Sequence, residues 1–247
     1  MERTWRIVKI LVVKLHPHLM AAPLYPQQKR MDGGGRKEDL LAWDRQYGEK
    51  GRIWRGAPAK IPDLPAGSRV LELGCGNGKT LAAMLRRPWR VTALDISTLA
   101  LRLGRDSSKD RYHPAGPDFV AADAVHLPFQ EGGFDAVIAF HVLGHLREID
   151  RRRAAAEAAR VLRGGGQLFF LDFGVDDMRA GKGEEVEAMT FRRGGGVFTH
   201  YFTEGEVIEL FDILRLTSMI TDRRLTRIRG VDHLRSEVAA EFIKQEG

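Results

Sequence analysis

The run VLELGCGNGKT (residues 70–80) constrains this chain more than any other stretch. A β-rich segment leads into three glycines at alternate positions and then into a helical pattern. Glycines at such a turn let the backbone bend tightly and approach a ligand that a Cβ would exclude. The spacing is G-x-G-x-G, not the G-x-G-x-x-G that seats a dinucleotide pyrophosphate. Glu72, two residues before the first glycine, suits a cationic ligand group better than a pyrophosphate.

Around this turn, strand and helix patterns alternate. Strands are expected at 69–73, 90–94, 118–121, 134–140 and 167–173, with helices at 37–50, 79–87, 98–105 and 150–162. The unbroken apolar run FDAVIAF (134–140) reads as a strand covered on both faces. Strands alternating with helices imply an α/β domain with a mainly parallel sheet, helices lying on both sides. Residues 174–203 break the rhythm: they are Gly-rich, charged and weakly patterned, which reads as a lid or substrate-side insertion. TEGEVIEL (203–210) has the form of a capping box, with Thr203 as N-cap and Glu206 at the third helical position. Two β-like stretches, 214–228 and 235–244, close the chain as an antiparallel pair.

Charge separates a leader from this unit. The chain has 39 Lys and Arg against 33 Asp and Glu, a net charge of +6. Residues 1–37 hold eight of those bases and two of the acids, so the remainder is neutral. A neutral body argues against a broad phosphate-binding surface. Residues 1–35 read as a basic flexible leader ending in the Gly33–Gly35 joint, and 36–247 as the folded domain. The apolar run at 10–13 lies between Lys9 and Lys14, far short of a membrane span. Lys14 and the break at His16-Pro17 also speak against an export signal. A single cysteine forms no internal disulfide, so a cytoplasmic location is expected.

Three further motifs follow the glycine turn. Asp95 ends the second strand, where a carboxylate can accept hydrogen bonds from both hydroxyls of a ribose. Asp123-Ala124 follows the third strand, and Phe140-His141 ends the fourth. All lie at carboxyl ends of parallel strands, where open α/β sheets bind their ligands.

Glu72 with the glycine turn, Asp95, Asp123-Ala124 and Phe134-Asp135 together resemble the ordered motifs of class I S-adenosylmethionine-dependent methyltransferases. RVLRGGG (160–166) resembles that family's turn before the fifth strand. The resemblance implies a Rossmann-like, doubly wound, seven-stranded sheet, mainly parallel with an antiparallel C-terminal strand pair. It implies S-adenosylmethionine as cofactor. Gly74, Cys75, Gly76, Asn77 and Gly78 would line its methionine and ribose part, and Glu72 would support the loop and the amino group. Asp95, with Ile96 and Ser97, would hold the ribose. Asp123 and Ala124 would face the adenine, and Phe140 and His141 the methionine.

On the acceptor side, Trp43, Tyr47, His145, His200 and Tyr201 are candidates to shape a substrate pocket. Each reads equally as a packed anchor, and His145 reads more as a structural or pocket group than as a base. No metal site is expected, because His141 and His145 lack a third ligand at a convincing spacing. Arg151-Arg152-Arg153 reads as a solvated helix face. An activated methyl group requires no universal catalytic residue, so the catalytic residue is left unassigned. If the acceptor needs a general base, His141, His200 and Tyr201 are candidates.

The favoured function is methyl transfer to a small molecule. Alternatives are a transfer RNA methyltransferase of the wobble-uridine type, on short similarity and the arginines of 215–235, a protein methyltransferase, or a cofactor-binding interaction module. The oligomeric state is left open.

Overall fold

The computed structural model describes residues 34–53, 60–108 and 116–246. The leader up to residue 33 lies outside the described residues, as do residues 54–59. The first helix, α1 (Gly34–Lys50), starts earlier than the pattern suggests. Gly34 and Gly35, expected in a flexible joint, therefore belong to its first turn.

Five strands match the alternating pattern: β1 (Arg69–Leu73), β2 (Arg90–Asp95), β3 (Asp118–Ala121), β4 (Phe134–Phe140) and β5 (Leu162–Phe173). The helices between them are α2 (Leu81–Met84), α3 (Thr98–Ser108) and α4 (Glu148–Val161). Helix α2 is a single turn, shorter than expected, because Gly76 and Gly78 hold the preceding loop at positive φ. Strand β5 starts at Leu162, directly after α4 ends, with the glycines of 164–166 inside it. After β5 come β6 (Glu184–Glu187), β7 (Thr190–Arg192), β8 (Phe198–His200), α5 (Glu204–Leu210), β9 (Arg215–Ile228) and β10 (Val231–Ile243).

The main sheet has seven strands in the order β3-β2-β1-β4-β5-β10-β9. Neighbours from β3 to β5 are all parallel, with Val70 beside Val91 and Leu71 beside Val137. Strands β9 and β10 form the expected antiparallel pair, and β10 is also antiparallel to β5. Only β10 therefore runs against the rest. Strand order reverses between β1 and β4, which opens a crevice at their carboxyl ends.

Side chains alternate across the strands, so β1 feeds two cores. Leu71 and Leu73 face Val137, Phe170, Phe202, Phe211 and the α4 alanines Ala154, Ala155, Ala158 and Ala159. Val70 faces the other side, with Val91, Ile138, Met84, Trp89 and Leu101. The alanine stripe has a helical period, and Arg151 lies on it, one turn before Ala154 and Ala155.

That periodicity corrects the reading of the arginine triplet. Arg151 is only 3% exposed, whereas Arg152 and Arg153 are solvated. The Arg151 guanidinium donates to the Leu146 carbonyl at 2.7 Å and lies 3.7 Å from Glu206 and 3.9 Å from Glu187. Burial lowers its pKa, against the raising effect of these carboxylates.

Residues 174–203, expected as a lid or substrate-side insertion, carry secondary structure of their own. Strands β6, β7 and β8 form a three-stranded antiparallel sheet, anchored by Phe191, Tyr201 and Phe173. Strands of three or four residues are too short for alternation to be visible in sequence. The Thr203 N-cap is present, its hydroxyl accepting from the Glu206 amide at 3.2 Å. The Glu206 carboxylate turns instead to His200 and Arg151.

Arg151 is buried while Glu187 and Glu206 are partly exposed, so its removal costs mainly its buried packing and its hydrogen bond to the Leu146 carbonyl. Arg151→Ala is expected to lower unfolding free energy by about 3 kcal/mol in urea titration, and Arg152→Ala by less than about 0.5 kcal/mol.

Candidate cofactor and acceptor site

The crevice at the strand-order reversal is an open cleft with about 620 Å³ of space between its walls, open solvent included. Its wall is lined by Gly74, Asp95, Ile96, Asp123 and Ala124, by Asp39, Trp43 and Tyr47 of α1, and by His141, Val142, His145 and Leu146 of the turn after β4.

The glycine loop is held by β2. Asp95 accepts from the Gly76 amide at 2.8 Å and from the Ser97 amide at 2.9 Å, one bond to each carboxylate oxygen. Ser97 is fully buried and caps α3 by accepting from the Ala100 amide, while donating to Asp44 of α1. The Cys75 amide donates to the Leu94 carbonyl at 2.9 Å. Gly74 must be glycine: its φ is +66°, and a Cβ there would lie 2.7 Å from Val142 Cγ2.

Two acids in this region are destabilised as anions. Burial, with Asp95 nearby, pushes Glu72 up to about 8, although the Leu81 amide opposes the shift. Burial also pushes Asp95 up to about 6, with Asp44 adding to the shift and the amides of Ser97 and Gly76 opposing it. The Cys75 thiol is raised well above its ordinary value by burial and by these same acids. A thiol in that setting is a poor nucleophile.

Among the expected cofactor residues, Gly74, Asp95, Ile96, Asp123, Ala124 and His141 line the cleft. Glu72, Cys75, Gly76, Asn77, Gly78 and Ser97 stand behind this wall and shape it. Phe140 packs against the core beneath it. Asp123 turns its carboxylate onto the Val125 amide at 3.1 Å.

On the acceptor side, Trp43, Tyr47 and His145 lie in the wall, and the Trp43 and His145 rings meet edge-on at 4.8 Å. His200 and Tyr201 do not line the cleft. His200 is 2% exposed, with Nδ1 2.8 Å from Thr190 Oγ1 and Nε2 2.9 Å from Glu206. Tyr201 is fully buried between Phe173 and Phe191, with its hydroxyl on Arg193. Both belong to the small sheet's core, and burial raises the Tyr201 pKa. Neither is placed to act as a base in the cleft.

Sequence reasoning missed Asp172, a lone acid in the apolar run of β5. It is 2% exposed and accepts from the Gly144 and Phe173 amides at 2.8 and 3.0 Å. His141 Nδ1 lies 3.7 Å from Asp172, and its Nε2 3.7 Å from Glu237. Burial raises the Asp172 pKa, but His141, His145 and the Gly144 amide together bring it below the ordinary value. Gly144 also fits this packing, since a Cβ there would lie 2.8 Å from the Asp172 carboxylate. His141 has φ +52°, and its ring packs on Phe173 at 4.6 Å. Among the described residues, no group of three His, Cys, Asp or Glu side chains is placed to hold a metal ion.

Residues 71–170 match the family described as "Methyltransferase domain". They form a class I S-adenosylmethionine-dependent methyltransferase domain. Its relatives differ in what they act on. The chain is 38% identical over 122 residues to a demethylmenaquinone methyltransferase of Thermobifida fusca, covering 49% of this chain and 50% of that one. It is 27% identical over 219 residues to the tRNA N(3)-cytidine methyltransferase METTL2 of Danio rerio, covering 84% of this chain and 61% of that one. The chain thus spans about half to three-fifths of the length of these two relatives. In fold, the domain resembles the 1,6-didemethyltoxoflavin-N1-methyltransferase of Burkholderia thailandensis, solved with its substrate and S-adenosylhomocysteine. The TM-score is 0.62 at 19% identity, covering 100% of both chains.

The raised pKa of Glu72 gives a signed prediction. An acid whose folded pKa exceeds its unfolded value costs stability as pH rises from the unfolded value, 4.5, to the folded one, about 8. Glu72→Gln is therefore expected to raise the unfolding free energy of the ligand-free protein at about pH 9 by on the order of 2 kcal/mol in urea titration, and to leave it unchanged at about pH 4. In addition, Gly74→Ala is expected to weaken S-adenosylhomocysteine binding by roughly tenfold or more in calorimetry, through strain and the clash with Val142.

Proposed function

We propose that this protein transfers the methyl group of S-adenosylmethionine to a small molecule held between α1 and the β4–α4 turn. The observation that carries this reading is the mixed lining of the cleft. It presents Asp95 and Asp123 at the strand ends together with aromatic and aliphatic groups, Trp43, Tyr47, Val142 and Leu146, from α1 and the turn after β4. Pockets for small ligands combine mostly apolar walls with a few fixed polar groups in this way.

The residues fit the cofactor. Glu72 Oε2 is buried without a hydrogen-bond partner, at the base of the glycine loop. Asp95, already fixed by two amides, would hold the ribose hydroxyls, and Asp123 with Ala124 would face the adenine. Gly74 would allow close approach of the methionine portion. The cofactor supplies a methyl group already activated by positive sulfur, so the protein's task is alignment and exclusion of water. Trp43 and Tyr47 cover the cleft from α1, which Asp44 ties to Ser97.

The quinone-pathway relative supports a small-molecule acceptor by analogy. A second reading, RNA methylation, is favoured by the longer match to the tRNA methyltransferase, which covers most of this chain. The charge pattern favours the first. Arg223 pairs with Asp176, Arg224 with Asp222 and Glu237, Arg227 with Asp232, and Arg235 with Asp177. Arginines neutralised by carboxylates in this way make a poor phosphate track. We also place the protein in the cytoplasm, in keeping with a single cysteine that is buried and unpaired. Among the described residues no helix is long and apolar enough to cross a membrane.

Labelled methyl groups from S-adenosylmethionine are expected to enter the small-molecule fraction of a native-cell extract, with little label in RNA or protein. Label confined to RNA, together with bulk-tRNA affinity that falls steeply with salt, would replace this reading by the second. Asp95→Ala is expected to weaken S-adenosylhomocysteine binding by at least about tenfold in calorimetry.

A further inference from the structure

Charge in the cleft runs against charge in the chain. The chain carries 39 Lys and Arg against 33 Asp and Glu. Yet Asp39, Asp95 and Asp123 line the cleft, and among the described residues no Lys or Arg side chain does. Arg45 and Lys50 belong to α1 but lie outside the wall. Further carboxylates stand behind it: Glu72, Asp44 on Ser97, and Asp172 and Glu237, each 3.7 Å from a ring nitrogen of His141. Beyond the effect of burial, Asp44 raises the pKa of Asp95, and Asp95 that of Glu72, so negative charge is crowded here.

Neighbouring cations do not cancel it. Arg179, whose charge reaches His145, is paired with Asp177 at 2.7 Å. Burial lowers the His145 pKa, and His141 and Arg179 add to the shift, while Asp172 and the bond to Phe198 oppose it. That ring therefore stays neutral and brings no positive charge to the wall.

The arrangement on α1 is a second observation. Asp39, Trp43 and Tyr47 are spaced by four residues, so a carboxylate and two aromatic rings follow one line of the helix, and all three lie in the wall. The two rings are 5.9 Å apart. A carboxylate in line with aromatic rings, of which Trp attracts cations best, is a setting that favours an organic cation.

We propose that the methyl acceptor is a small molecule bearing a primary or secondary basic amine, methylated on that nitrogen, and that Asp39, Trp43 and Tyr47 receive the positive charge the nitrogen gains. The proposal rests on the small-molecule methyltransferase reading and adds the acceptor class to it. In that reading Asp95 and Asp123 face the cofactor, which leaves Asp39 to the acceptor.

The chemistry conserves charge. The amine enters as its free base, its ammonium proton having gone to water, since the positive sulfur disfavours a second cation beside it. The nitrogen lone pair forms the bond to the methyl carbon as the carbon–sulfur bond breaks and its electron pair leaves to sulfur. Sulfur becomes neutral and nitrogen positive, so the cation moves within a carboxylate-lined cleft and no proton has to be removed during transfer. An acceptor that had to become an anion would instead meet those carboxylates with no basic side chain in the wall to hold it.

Two measurements test this. Carbon-13-methyl S-adenosylmethionine is supplied with the small-molecule extract of cells grown on nitrogen-15. The product's methyl carbon is expected to show one-bond coupling to nitrogen-15, and its resonance to move when the product is titrated through the basic pH range. A methyl group on oxygen, carbon or sulfur, or on a nitrogen that takes up no proton, would overturn the proposal while leaving the methyltransferase reading intact. With the amine identified from that product, Asp39→Asn is expected to raise its KM roughly tenfold or more, with S-adenosylhomocysteine affinity within about threefold of wild type, and Asp39→Glu to restore most of the loss. A KM in Asp39→Asn within about twofold of wild type would overturn the proposal as well. If wild type labels no small molecule, the small-molecule reading fails first and takes the amine with it.

Discussion

The Asp95 carboxylate, buried and gripping the amides of Gly76 and Ser97, is the contact on which the site's order depends. One oxygen closes the glycine loop against the end of β2, and the other begins the turn into α3. Ser97 then caps that helix and holds Asp44, so α1 is registered over the cleft by the same chain of bonds. These amide bonds favour the anion but do not fully offset its burial, which leaves the carboxyl pushed up to about 6.

Much of this architecture was legible in the sequence. The strands from β1 to β4 were readable to within a residue or so because each is short, apolar and bounded by glycine, proline or charge. The glycine turn, Asp95 and Asp123 could be placed because strand alternation puts their ends on one edge of a parallel sheet. What could not be read depended on partners distant in the chain. Arg151 looks solvated beside two other arginines. Only its phase relative to the alanine stripe, together with Glu187 and Glu206 from later elements, accounts for its burial.

The small sheet shows the same limit from another direction. Its strands are too short to carry a period, and its hydrophobic members, Phe191, Phe198 and Tyr201, are scattered among glycines and charges. Once formed, it withdraws His200 and Tyr201 from the cleft and presents a backbone carbonyl to His145. A backbone group leaves no trace in residue identity, so this part of the site was invisible to motif reasoning. Asp172 differs, because a single acid in LFFLDF was a visible anomaly whose partners were not.

The junction between α4 and β5 has a mechanical consequence. Leu162 both follows the last helical residue and begins the strand, where it pairs with Phe134. The next pair is Gln167 with Ala136, so the stretch holding Gly164–Gly166 bulges out of the ladder. That surplus chain separates the helix from the regular part of the strand, which runs on to Asp172. An inserted residue there would meet an existing bulge, not an unbroken ladder.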